Sequence, residues 1–149
     1  MKPSQRGSSV APGGPTCTQI RGPYTFTYAK SGGFAGVQDK LRVDSAARRL
    51  TVSTRNEPPR TVEASQKDLR ELEERLEAAD FLNTKRSFQC EGCADQFLYD
   101  ATLTTRGARA AVHWEDGSEA PAELFALSAL ADRLIQENLT PRQSTGSGS

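Results

Sequence analysis

The clearest structural signal in the sequence is a hairpin pattern that runs from Phe97 to Trp114. Apolar and polar residues alternate with a period of two, which is the spacing of side chains along a half-buried strand. Arg106-Gly107 interrupts the alternation and supplies a turn. The residues predicted to face inward are Phe97, Tyr99, Ala101 and Leu103 on the first strand, and Ala110, Val112 and Trp114 on the second. His113 therefore points to the other face, toward solvent or a sheet edge.

The same alternation occurs nearer the start of the chain. Tyr24–Tyr28 alternates aromatic with polar residues and predicts a strand with an aromatic core face. Leu41–Val43 alternates apolar with charged residues and is followed, after a turn, by Leu50–Ser53, so this part predicts a hairpin. Asn56–Pro59 predicts a break in the strand pattern, because proline cannot donate to a strand ladder.

Two amphipathic helices complete the pattern. Ser65–Asp68 resembles a capping box at the start of the first helix, and Pro121 suits the first turn of the second. The apolar stripes are Leu69, Leu72, Leu76 and Ala79 in the first helix, and Leu124, Leu127, Leu130, Ala131 and Leu134 in the second. The order of elements predicts an α+β fold, a mostly antiparallel sheet of about five strands with two helices packed on one face.

Length and charge limit the domain organisation and the partners. The 149 residues predict a single α+β domain at 23–139 between Ser/Gly/Pro-rich tails at 1–22 and 140–149, which we expect to be disordered. Nineteen basic residues balance nineteen acidic ones, which argues against nucleic acid or an anionic membrane surface as a partner. No apolar run approaches the roughly 20 residues of a membrane span, and the first residues do not resemble a signal peptide. We therefore expect a soluble chain that is a monomer when free.

Ser31–Gly36 is the most unusual stretch of the sequence. Three glycines surround Phe34, and glycine accepts positive φ without steric cost, so the stretch predicts a tight, exposed turn between two strands. One interpretation is that Phe34 is displayed as a hydrophobic anchor for the pocket of a partner. The other is that Phe34 folds back over the local core and the glycines only turn the chain.

The three cysteines are Cys17 and the pair Cys90 and Cys93 in a Cys-Glu-Gly-Cys motif. A zinc site would need two more ligands, and only Cys17 and His113 are available, from distant positions. A redox pair usually lies at a helix N-terminus after a strand, whereas this pair precedes a strand. We predict no metal site, and both a small structural disulfide between Cys90 and Cys93 and two free thiols fit the motif.

The sequence offers little for catalysis. His113 is the only imidazole, and the motifs of serine hydrolases, zinc peptidases and nucleotide-binding loops are missing. The glycine-rich stretch leads into a strand, whereas phosphate-binding loops lead into the N-terminus of a helix. The carboxylates near strand ends are expected to be solvated turn residues; these are Asp95, Asp100, Glu115 and Asp116. We therefore predict a protein that is not an enzyme and uses no cofactor.

Four segments of the chain together resemble a known family. They are Ser31-Gly32-Gly33-Phe34-Ala35-Gly36 after the first strand, Ala78-Ala79-Asp80-Phe81 at a helix end, Ala94-Asp95-Gln96-Phe97-Leu98-Tyr99 at a strand entry, and the strand-to-helix segment from Val112 to Leu134. This combination is similar to the emfourin family, proteinaceous inhibitors of protealysin and other thermolysin-like zinc metallopeptidases. The resemblance runs in the same order from about Ile20 to Leu139. The chain departs from the family in its long polar stretch before Tyr24 and in the cysteine pair upstream of Asp95.

The resemblance implies competitive, non-covalent inhibition of a thermolysin-like metallopeptidase. The implied target-binding residues are Ser31, Gly32, Gly33, Phe34, Ala35 and Gly36, with Asp39 and Asp95 as secondary contacts. Such peptidases favour a bulky apolar side chain just after the scissile bond, so Phe34 would be the anchor and the zinc would belong to the target. The alternative is a non-inhibitory module that binds a peptide or protein through the same loop or a sheet edge.

The cysteines and the start of the chain also bear on location. A leaderless chain with unpaired cysteines suits the cytoplasm, where such an inhibitor would protect the cell from its own protease. Export is the alternative if a leader has been removed.

Overall fold

The computed structural model of the chain describes Ile20 and residues 22–139. Nearly all of both predicted tails, including Cys17, lies outside the described residues. The described part contains seven strands and two helices: β1 (Tyr24–Gly32), β2 (Val37–Asp44), β3 (Arg49–Thr54), β4 (Glu57–Glu63), α1 (Gln66–Ala78), β5 (Ser87–Phe88), β6 (Phe97–Thr105), β7 (Arg109–Glu115) and α2 (Ala122–Leu139).

The strands form one sheet in the order β4-β3-β2-β1-β6-β7-β5. Neighbouring strands are antiparallel except for β5, which runs parallel to β7. The predicted α+β class and the mostly antiparallel sheet are confirmed. The predicted number of about five strands is too low, because the sheet has seven strands within the described residues. The two additional strands are β4 and β5, one at each edge.

Strand β4 corrects the prediction of a break at Asn56–Pro59. Pro58 and Pro59 lie within β4, and the register with β3 shifts between Val52 and Thr54. An edge strand has a neighbour on one side only, so part of its amides need no strand partner and proline is tolerated. The two prolines therefore lie in an edge strand and do not end the sheet.

The core lies between one face of the sheet and the two helices. The side chains predicted to face inward on the strands form one cluster with the apolar stripes of both helices. Trp114 is fully buried and stacks on Tyr99, with 5.6 Å between ring centroids. Phe97 is an exception to full burial, because its side chain at the start of β6 is half-buried. Period-two alternation thus predicted the inward face correctly, with incomplete burial at one strand end.

Both ends of α1 are capped. The hydroxyl of Ser65 accepts a hydrogen bond from the backbone N–H of Asp68 at 3.0 Å, which is one of the two hydrogen bonds of the predicted capping box. At the other end, Asp80 has a φ of 47°, and the N–H of Phe81 donates to the carbonyl of Leu76 at 3.1 Å. This arrangement satisfies carbonyls of the last turn and directs the chain back toward the core. Phe81 is accordingly buried.

Candidate functional site

The turn between β1 and β2 consists of Gly33, Phe34, Ala35 and Gly36. The N–H of Gly36 donates to the carbonyl of Gly33 at 3.2 Å, and both glycines have positive φ. Residues with a side chain pay about 1–2 kcal/mol for a left-handed backbone, so glycine suits these positions.

The side chain of Phe34 is displayed at the tip of this turn. It is 94% exposed, and among the described residues it is the one large hydrophobic side chain in that state. Phenylalanine is among the residues most often fully buried, and here its ring is left almost entirely to solvent. The interpretation in which Phe34 covers the local core does not fit this exposure.

The base of the turn is pressed against the start of β6. The N–H of Gly33 donates to the carbonyl of Gln96 at 3.1 Å. A Cβ atom at Gly32 would lie 2.7 Å from the same carbonyl oxygen, and one at Gly33 would lie 2.5 Å from the ring of Phe97. Glycine is therefore required here for close packing as well as for backbone conformation.

Arg55 holds the other side of the turn. It lies in the connection between β3 and β4, and its Nη1 donates to the carbonyl of Gly36 at 3.2 Å. The turn is thus contacted at Gly33 by Gln96 and at Gly36 by Arg55, while the ring of Phe34 is exposed.

A charged cluster lies on the helix-facing side of the sheet near the turn. Lys30 Nζ lies 4.2 Å from the ring centroid of Phe97 and 3.1 Å from Asp132 Oδ2, and the hydroxyl of Tyr28 donates to Asp132 Oδ1 at 2.9 Å. Asp39 is the strand partner of Lys30. Burial raises the pKa of Asp39 and the charge of Asp132 raises it further, while Lys30 lowers it. The structure thus places Asp39 in a partly buried cluster on β2, away from the tip of the turn.

The segment before β6 brings the cysteine pair and Asp95 to the same end of the sheet as the turn. Cys90 and Cys93 form a disulfide, so of the two alternatives that the sequence leaves open, a disulfide or two free thiols, the structure has the disulfide. Asp95 is exposed and has a φ of 59°. It directly precedes Gln96, whose carbonyl binds Gly33. Asp95 therefore lies beside the base of the turn.

His113 lies between two carboxylates on the face of the sheet opposite the helices. Its Nδ1 is 2.9 Å from Asp100 Oδ1, and its Nε2 is 2.6 Å from Glu115 Oε2. Burial lowers the pKa of His113, but the hydrogen bonds to Glu115 and Asp100 outweigh burial and raise the pKa overall. The pKa of Glu115 is lowered, first by the N–H of Cys90 and then by His113. The expectation that Asp100 and Glu115 are solvated turn residues is wrong as to their place, because Asp100 lies within β6 and Glu115 ends β7, and both pair with His113. Asp100 is nevertheless exposed to solvent, whereas Glu115 is largely covered.

The contacts of His113 could have been found from the sequence. Residues two apart on a strand share a face, which places Glu115 beside His113, and the short turn after β6 sets a register that places Asp100 opposite His113. Asp116 is also engaged, since the hydroxyl of Tyr99 donates to it at 2.9 Å. Both ring nitrogens of His113 are occupied by carboxylates, so neither is free to activate a hydroxyl or thiol.

The described residues contain neither a cluster suited to a metal ion nor a helix that could span a membrane. Across Ile20 and residues 22–139, no group of three or more His, Cys, Asp and Glu side chains is arranged to hold a metal ion. None of the helices in this part of the chain is long and apolar enough to cross a membrane.

Comparisons with known proteins leave the family open. No model of a known protein family matches the chain, and a search of curated proteins gives no significant match. The turn, its supports and the motifs of the sequence are therefore the features that bear on the function.

Proposed function

We propose that this protein inhibits a thermolysin-like zinc metallopeptidase by inserting the Ser31–Gly36 turn into the active-site cleft. The observation that carries the proposal is the 94% exposure of Phe34 on a turn that is held from two sides. An aromatic side chain presented in this way has the character of an interface anchor. The motifs that resemble the emfourin family supply the class of target.

The composition of the turn suits a narrow cleft. Phe34 is flanked by Gly33 and Ala35, so the backbone on both sides of the ring can approach another protein closely. Burying a phenylalanine side chain fully is favourable by about 1.5–3 kcal/mol, which the free protein leaves unused at this position. In the complex, Phe34 fills the pocket that receives the residue after the scissile bond. Inhibition is competitive because the turn occupies the place of the substrate.

The supports of the turn favour tight binding. The contacts from Gln96 and Arg55 hold the backbone of the turn before the partner arrives. A segment that already has its bound conformation loses less conformational entropy on association. The zinc ion of the mechanism belongs to the target, and the inhibitor uses no cofactor.

The test is a titration of the full-length protein against thermolysin with a chromogenic peptide substrate. Wild-type protein should lower the rate competitively. Phe34→Ala should weaken inhibition by about 30-fold or more, which corresponds to about 2 kcal/mol. Phe34→Leu should retain most of the inhibition, because leucine also fills an apolar pocket. Arg106→Ala, in the β6–β7 turn at the opposite end of the sheet, is the control and should inhibit like the wild type.

The result that would contradict the anchor function is equal inhibition by Phe34→Ala and wild type, with unchanged circular dichroism. Absence of inhibition at micromolar excess of wild-type protein over thermolysin and protealysin would contradict the proposed function itself.

A non-inhibitory binding module is the second candidate, and one observation favours it. A shallow groove of about 340 Å³ lies on the face of the sheet opposite the helices; it is lined by Thr27, Ala29, Lys40, Arg42, Thr51, Ser53, Pro59, Asp100 and Thr102, with parts of Tyr28 and Leu41. The sheet edges are less suited to a partner strand, because β4 contains two prolines and β5 has two residues. Binding of a partner that Thr27→Trp abolishes and Phe34→Ala leaves intact would favour this candidate.

A further inference from the structure

We propose that the Cys90–Cys93 disulfide is a thiol–disulfide exchange site, and that its reduction by a dithiol loosens the base of the Phe34 turn. The part of the proposal in which reduction controls inhibition rests on the proposed function. The exchange reaction and the loosening of the turn are properties of the free protein and are tested separately.

The disulfide is accessible to an external thiol. Every residue from Glu91 to Asp95 is exposed, including Cys93, whereas Cys90 is half-buried. The sulfurs lie against the turn after β7, where a Cβ at Gly117 would be 3.0 Å from Cys90 Sγ and 3.2 Å from Cys93 Sγ. Because thiol–disulfide exchange requires access to the sulfur that is attacked, the exposed Cys93 is the site of attack.

A short path of contacts connects the disulfide to the turn. The side chain of Glu115 accepts hydrogen bonds at the same oxygen from the N–H of Cys90 at 2.9 Å and from Gln96 Nε2 at 3.4 Å. The carbonyl of Gln96 accepts the N–H of Gly33 at 3.1 Å. The disulfide ties Cys93 to Cys90, which Glu115 fixes to the end of β7. Gln96, which supports the turn, is therefore three positions after Cys93, which the disulfide anchors.

The backbone at Asp95 strengthens this connection. Its φ of 59° is left-handed, a conformation that aspartate adopts more readily than most residues with a side chain but less readily than an extended one. The disulfide ends two residues before Asp95 and closes the exposed segment. When the disulfide is open, Asp95 can relax to an extended backbone, which moves the carbonyl of Gln96 away from the N–H of Gly33.

The reaction is a two-step exchange with a dithiol. One thiolate of the dithiol attacks Cys93 Sγ, the bond to Cys90 breaks, and Cys90 leaves as a thiolate that takes a proton from solvent. The second thiolate of the dithiol then attacks the first sulfur of the dithiol, which is bonded to Cys93 in the mixed disulfide. Cys93 leaves as a thiolate and takes a proton from solvent. Two electrons pass from the dithiol to the protein pair, and the dithiol ends as a disulfide.

The first experiment uses the free, full-length protein. Native protein is incubated with dithiothreitol, thiols are counted, and hydrogen exchange of the Gly33 amide is followed by NMR. We expect the disulfide to open without unfolding and exchange at Gly33 to accelerate on the order of tenfold. Cys90→Ser/Cys93→Ser should show the faster exchange without reductant, and Cys17→Ser is the control that should match the wild type.

Two results of this experiment would overturn the proposal. One is a disulfide that stays closed in native protein under millimolar dithiothreitol. The other is an unchanged exchange rate at Gly33 in reduced protein, measured on reduced and alkylated wild type if the double variant does not fold.

The second experiment measures inhibition of thermolysin. The protein is reduced, alkylated and freed of reagent before mixing, because a dithiol would remove zinc from the peptidase. Opening the disulfide should weaken inhibition by about tenfold, as expected for a modest coupling between two sites. Equal inhibition by oxidised and opened protein would overturn the regulatory part. If the wild type does not inhibit while exchange at Gly33 accelerates on reduction, the proposed function fails and the exchange site stands.

Discussion

Replacing Gly33 with alanine tests how the Phe34 turn is held. Gly33 has a φ of 74°, and a Cβ there would lie 2.5 Å from Cε1 and 3.0 Å from Cζ of Phe97. Gly92 offers a matched control, because its φ is 78° and nothing lies within 4 Å of its Cβ position. The two substitutions therefore introduce the same backbone strain and differ in the contact with Phe97.

The expected magnitudes follow from these two contributions. A left-handed residue with a side chain costs about 1–2 kcal/mol, and the lower entropy of the unfolded chain offsets about 0.4–1 kcal/mol of that cost. Gly92→Ala should thus lower the free energy of unfolding by about 1 kcal/mol. Gly33→Ala adds an overlap with a half-buried ring, and overpacking of this kind costs about 1–3 kcal/mol more. The difference between the two variants measures the contact alone.

The assay is urea denaturation of both variants, followed by circular dichroism. Phe97→Ala and the double variant Gly33→Ala/Phe97→Ala complete a double-mutant cycle. The part of the destabilisation by Gly33→Ala that comes from overlap with the Phe97 ring should disappear when the ring is removed. Equal unfolding free energies for Gly33→Ala and Gly92→Ala would show that Gly33 is not pressed against Phe97. The description of a turn held at its base would then be wrong.

Three further predictions concern the rest of the domain. The pKa of His113 is raised from 6.5, so its pairing with two carboxylates stabilises the fold fully below pH 6.5, and this contribution is lost as pH rises through the higher folded pKa. His113→Gln should remove this part of the pH dependence of the free energy of unfolding, measured by denaturation on both sides of pH 6.5. An unchanged pH profile would contradict the prediction. Tyr28→Phe removes the hydrogen bond to Asp132 and should lower the free energy of unfolding by about 1 kcal/mol, measured in urea, whereas no change would show that the bond is unimportant. Phe34→Ala should change the free energy of unfolding by less than about 0.5 kcal/mol, because the ring is 94% exposed, and a larger loss would mean that the ring packs on the domain.

The fold class could be predicted from the sequence because side-chain periodicity is a local property. The alternation from Phe97 to Trp114 and the leucine stripes each placed their apolar residues in the core. The two edge strands could not be predicted in the same way. Whether Pro58 and Pro59 are tolerated depends on β4 lying at an edge, which is a property of the whole sheet. Strand β5 has two residues and pairs in parallel with a distant strand, so no local pattern indicates it.

The candidate site was predictable in part for the same reason. Three glycines around Phe34 indicated a turn, but only its exposure separates a displayed ring from one that covers the core. The support from Arg55 depends on β3 and β2 being neighbours, which brings two turns together at one end of the sheet. The support from Gln96 depends on β1 lying between β2 and β6. Both require the sheet order, and the sequence leaves that order open.

The supports of the turn contact its backbone and leave the ring of Phe34 exposed. Gln96 accepts the N–H of Gly33, and Arg55 donates to the carbonyl of Gly36, so the conformation of the turn is set without any use of the Phe34 ring. Changing Phe34 should therefore alter the proposed binding to a partner while the conformation of the turn stays the same. Changing Gly33 should alter the conformation of the turn while the side chain of Phe34 is unchanged. The ring and the backbone conformation of the turn depend on different residues. A loss of binding in a Phe34 variant and a loss of rigidity in a Gly33 variant can therefore be assigned to separate causes.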